Sequence, residues 1–232
     1  MASKKLGLPI RIPSEFAYKL CDYKICLGRI CEDYLQNYEF WGACDLDAIW
    51  GRIRTFLTPR ILAQHDIVTS GQGRVWGHFL VIRNTARLND LYSKMPGFEE
   101  AVADTGSLHR LDERVITEYL NERLPRVPAR LRRLRKWLPQ GSPKVFWHWR
   151  SPVVSHGRMQ SEAKTLGKPF SWESGRAFNH LGSELMYLHF HKYKESMRAE
   201  DFVWKRNPEK LLISSSGITL THPRGQRMAD AS

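Results

Sequence analysis

Two aspartates, Asp45 and Asp47, close an apolar and aromatic run, YEFWGACDLD, that starts at Tyr38. The run reads as a short buried strand, because hydrophobic residues crowd it and acid ends it abruptly. In α/β sheets, ligands collect beyond the carboxyl ends of strands. Two carboxylates held there repel each other unless a cation or a proton lies between them. Hard oxygen donors suit Mg²⁺ or Mn²⁺, which commonly bind a substrate's phosphates as well. A metal so held can clamp a diphosphate and stabilise it as a leaving group. An Asp-x-Asp alone is common in solvated turns, so the strand context carries the weight here.

Other chemistry-bearing residues are more ambiguous. Asp112 and Glu113 follow SLHRL and open a helix, where acid also simply complements the helix dipole. His189 and His191 share one face of a candidate strand, ELMYLHFHKYK, and a strand histidine commonly serves only as a core residue. His78 starts HFLVIRN; a hydrogen bond to a sugar and an ordinary strand-end role are both open. The loop SGQGRVWG lacks both G-x-G-x-x-G and a G-K-[ST] ending, so it is no phosphate fingerprint, although Trp76 offers a stacking surface. The four cysteines contain no C-x₂-C pair. Cys21, Cys26 and Cys31 step by five along a helix, so they splay and read as reduced packing residues.

The elements that must position these groups alternate. Residues 1–16 form an irregular lead-in broken by Pro9 and Pro13, and a helix is expected over 18–36. After the strand ending at Asp45, AIWGRIRTFL shows helical spacing. Strands follow at 65–70 and 78–84, with Asn84 placed to cap the helix TARLNDLYSKM, and further helices at 98–104 and 112–124. This alternation predicts an α/β layer architecture. Beyond residue 122 prolines break the pattern. PKVFWHWR reads as a strand, 156–182 as a long loop, and KLLISSSGITLT as a hairpin about Ser216-Gly217. Residues 17–222 are read as a single domain with an insertion at 123–161, and 223–232 as a flexible tail.

The chain has 232 residues, 42% of them hydrophobic, which is enough to build a core and suits one domain or two small ones. Its net charge is +12, of which Arg123–Ser161 contributes +10 with no acidic residue. Leu131, Leu134 and Leu138 alternate there with arginine, beside Trp137, Trp147 and Trp149. That pattern fits an interfacial helix on anionic lipid, and arginine among aromatics also suits nucleic acid. The remainder is near balance, so a general nucleic-acid binder ranks behind a membrane-surface role. No apolar run reaches the ~20 residues of a membrane span, and MASKKLGLPIRIPSEF has no signal-peptide core. A cytoplasmic protein, peripheral at the inner membrane face, is expected.

Taken together, KLCD (19–22), DYL…Y-x-FWG-x-CD-x-D (33–47), GRIRTFLT (51–58), GHF…RN (77–84), Asp112-Glu113 and YLHF-x-K (187–192) resemble an uncharacterised bacterial family of glycosyltransferase-like proteins. Its members occur in polysaccharide and lipopolysaccharide gene clusters. The resemblance implies a GT-A-like, Rossmann-like mixed sheet flanked by helices. It implies transfer of a sugar, of hexosyltransferase type, from a nucleotide-sugar donor such as a UDP-sugar to a glycan or lipid-linked acceptor. Asp45 and Asp47 would hold Mn²⁺ or Mg²⁺, and His189 would complete the metal shell. Asp112 or Glu113 would act at the acceptor; Trp41, His78 and Lys192 would bind substrate, Lys192 at the phosphates. Family members carry a further segment ahead of KLCD, so the nucleotide-binding half is expected to be N-terminally incomplete, and an inactive remnant is the alternative.

Overall fold

The computed structural model describes residues 1–70, 73–123, 143–146, 153–154, 170–189, 210–214 and 217–220. The chain is of mixed α/β class. It packs into two compact units: Met1–Asp45 with Pro59–Trp149, and Leu46–Thr58 with Arg150–Ser232. The basic segment and Lys192 fall almost wholly outside the described residues. Among the described residues, no helix is long and apolar enough to cross a membrane.

Unit 1 is built on a four-stranded sheet in the order Phe40–Cys44, Phe79–Arg83, Ile67–Thr69, Val145–Phe146. The first two pairings are antiparallel and the last is parallel. Side chains alternate across a strand, so Trp41 and Ala43 are buried while Gly42 and Cys44 face out. The register sets Trp41 opposite Ile82, and Ile82 opposite Ile67, which makes one apolar row. Tyr23, Ile25, Leu88, Leu91, Phe98, Leu111 and Ile116 pack into the same core.

The expected helix over 18–36 is broken. A tight 3₁₀ helix runs Ser14–Cys26, followed by short α turns at Leu27–Ile30 and Glu32–Leu35. Three residues per turn eclipses positions i and i+3. Lys19 and Asp22 therefore stand in one row, and both are fully buried. The expected cap is also different: Thr85, not Asn84, caps Ala86–Asn89 by accepting from the Leu88 N–H. Asn84 instead donates to the carbonyls of Leu35 and Tyr38.

Among the described residues, unit 2 holds two sheets. One orders Ala48–Trp50, Tyr187–His189 and Val153–Val154; the other orders Gly217–Leu220, Lys210–Ser214, Phe170–Glu173, Arg176–Phe178 and Glu184–Leu185. Phe170, Ala177, Leu185, Leu188, Leu211 and Ile213 form its core. Two expectations change here. Residues 48–50 are a strand rather than the start of a helix, and the helix is only Ile53–Phe56. The expected loop at 156–182 contains the Phe170–Glu173/Arg176–Phe178 hairpin. Its two turn residues, Ser174 and Gly175, have φ of 47° and 81°, the left-handed pair of a type I′ hairpin turn. Gly51 leaves room for close backbone packing: a Cβ there would lie 2.6 Å from the Leu185 carbonyl oxygen.

Candidate functional site

The first cluster lies in unit 1 and is assembled from the KLCD helix upward. Asp22 accepts from Lys19 Nζ at 2.9 Å and from the backbone N–H groups of His109 and Leu111 at 3.0 and 3.1 Å. Lys19 also donates to the carbonyls of Ala101 and Ser107. This buried pair is thus satisfied by backbone on both sides, the condition under which buried charge is tolerated. It pins the loop that leads into Asp112. Arg110, with φ 56°, turns the chain there, and a wide helical turn, Leu111–Val115, presents Asp112 and Glu113 side by side.

Asp112 is buried against Gly77, where a Cβ would stand only 1.9 Å from its Oδ2. Lys24 Nζ lies 3.5 Å from Asp112 Oδ2 and pairs closely with Asp45 Oδ1. It donates as well to the Gly77 carbonyl at 3.3 Å. Burial pushes the Asp112 carboxyl up to about 7; Lys24 opposes this, while Glu113, Asp22 and Asp45 add to it. Burial pulls the Lys24 ammonium down, but its hydrogen bond to Asp45 and the charges of Asp112 and Asp45 outweigh that and leave it raised. Glu113 accepts from the Gly77 N–H at 3.2 Å and faces Arg74 at 3.7 Å. Arg74 also covers Trp76, 3.9 Å from the ring centroid, and the Trp76 ring lies 5.7 Å from that of His78.

The second cluster lies in unit 2. Tyr187–His189 pairs antiparallel with Ala48–Trp50, with His189 directly opposite Ala48. That register carries His189 to the residue next to Asp47, 142 positions away in sequence. His189 Nε2 stands 3.3 Å from Asp47 Oδ1, and the histidine is only 2% exposed. A carboxylate and an imidazole at this spacing can share a proton or ligate one cation.

Asp47 and His189 are brought together; Asp45, Asp112 and Glu113 gather around Lys24 and Gly77. Trp41 is a core residue: it is 5% exposed and its Nε1 donates to Asn89 Oδ1 at 2.8 Å, so it offers no ring face to a sugar. His78 is buried beside Trp76 and lies just before the strand rather than in it. Lys192 lies outside the described residues. Sequence reasoning missed Lys24, Asp22 and Gly77 as site residues. Asp22 and Gly77 stood inside noticed motifs, and a lysine in the row of a largely apolar helix was the only signal for Lys24. All four cysteines are free thiols, but only Cys26 is buried; Cys21 and Cys31 are half-buried and Cys44 is exposed, so core packing accounts for one of the four.

A family model described as a family of unknown function (DUF6625) matches residues 1–220, and the chain belongs to that family. No curated protein and no solved structure matches it.

Proposed function

We propose that this chain is a metal-dependent glycosyltransferase of GT-A type, using a nucleotide-sugar donor and a glycan or lipid-linked acceptor. The observation that carries the reading is the placement of His189 beside Asp47 by strand register. Asp45 precedes Asp47 by two residues, so the backbone alone keeps their Cα atoms within about 7 Å. In this reading Asp45, Asp47 and His189 would each offer one ligand atom to a cation. Two carboxylates with one imidazole favour Mn²⁺ somewhat over Mg²⁺. When bound, the cation would neutralise the diphosphate leaving group.

Asp112 is the better candidate of the acidic pair for the acceptor proton. Its carboxyl titrates near 7, so it can both accept and release a proton near neutral pH. Glu113 is already engaged by the Gly77 N–H and by Arg74.

Calorimetric titration of a panel of nucleotide sugars, with Mn²⁺ present and absent, tests the reading. A UDP-sugar is expected to bind only with Mn²⁺, and Asp47→Asn should remove that binding while leaving the protein folded. Metal and nucleotide that leave both the heat and the melting temperature unchanged would sink it.

A further inference from the structure

The ammonium of Lys24 is paired with the Asp45 carboxylate in this structure. It pairs closely with Asp45 Oδ1, and its side chain is only 14% exposed while that of Asp45 is 25% exposed. The contact is therefore sheltered from the screening that makes surface pairs negligible. Lys24 has two further partners within reach, the Gly77 carbonyl at 3.3 Å and Asp112 Oδ2 at 3.5 Å. Releasing Asp45 would not strand the ammonium, because Asp112 and Gly77 remain to receive it. The same carboxylate is the first Asp of the proposed metal set.

We propose that Lys24 is a built-in counter-cation of Asp45 that a divalent ion must displace, its ammonium then turning to Asp112 and the Gly77 carbonyl. This inference rests on the metal reading of Asp45. It makes Lys24 a positioning residue that sets the affinity of the metal site. A carboxylate engaged by an ammonium costs an incoming cation the energy of that charged hydrogen bond. Removing the ammonium should return it as tighter binding, about tenfold or more in Kd. The device gives a physical role to a lysine placed two residues beyond Asp22, the carboxylate that anchors the Asp112 loop.

The test is calorimetric titration of Mn²⁺ alone, without nucleotide, into the full chain and into Lys24→Met and Lys24→Arg. Lys24→Met is expected to bind Mn²⁺ about tenfold tighter, while Lys24→Arg, which keeps the charge, stays close to the unmodified protein. Equal affinity in all three proteins overturns the displacement while leaving the metal reading standing. No Mn²⁺ binding by any of them overturns both. A second measurement needs no substitution that must fold. The Nζ resonance of Lys24, followed by nitrogen NMR, should move as diamagnetic Mg²⁺ is titrated in. A resonance that stays fixed while other site signals saturate refutes the displacement; signals that never respond to Mg²⁺ at all refute it together with the metal reading.

Discussion

Replacing Asp112 with Asn should change how stability depends on pH, and the size of the change follows from its surroundings. The Asp112 carboxyl is raised from 3.8 to about 7, chiefly by burial. Between those values the folded protein keeps a proton that the unfolded chain has released. Stability therefore falls as pH rises through this window, since the native state binds more protons than the unfolded one. The penalty is absent below about pH 4 and complete above about pH 7. At about 1.4 kcal/mol for each pH unit, roughly three units give about 4 kcal/mol. The Asp112 side chain is only 6% exposed, so solvent does not screen this away. Asn keeps the shape and cannot ionise. Denaturant unfolding of both proteins, in chelator and at half-unit steps from pH 4 to pH 8, isolates the effect. The variant should gain stability relative to the unmodified chain by several kcal/mol across the window, with unchanged m-values. A difference that stays flat to within about 0.5 kcal/mol would show that Asp112 does not hold its proton in the folded state, and the account of its burial would fail.

Gly77→Ala should destabilise by about 1–3 kcal/mol, because its Cβ collides with the Asp112 carboxylate. The loss should shrink in an Asp112→Ala background, and strictly additive melting temperatures would rule out the clash. Asp22→Ala should cost about 3 kcal/mol, the low end for breaking a buried charge pair, since Lys19 keeps two carbonyl partners. Hydrogen exchange at the amides of His109 and Leu111 should rise with it; unchanged protection there would show that Asp22 does not anchor the loop.

Strand-forming segments were legible where composition left one option. The apolar runs around Trp41, Val68 and Val81 each met a strand close to its expected place, and Lys210–Ser214 pairs antiparallel with Gly217–Leu220 as a hairpin there would. The segment at 48–57 was not, because Ile49, Ile53 and Phe56 satisfy a helical period that a three-residue strand followed by one helical turn also produces. The 170–178 hairpin was readable in principle from Ser174-Gly175 between Trp172 and Arg176. Surrounding polar residues hid it. The KLCD signature looked like a helix face, and its buried Lys19–Asp22 row depends on 3₁₀ geometry that no side-chain pattern distinguishes from α over so short a span.

The sequence by itself determined the α/β class, the proximity of Asp45 to Asp47 through two peptide bonds, and the concentration of positive charge in 123–161. All three are local properties of the chain. Tertiary structure alone decided which distant groups those carboxylates meet. Antiparallel register set His189 against Ala48 and so beside Asp47. Packing of the 14–26 helix brought Lys24 to Asp45, and the Asp22 anchor delivered Asp112 to Gly77. Register and packing are set by the sum of many apolar contacts and by the few polar groups that must find partners when buried. The charge of a residue is written in its side chain; its partner, and therefore its chemistry, comes from the fold.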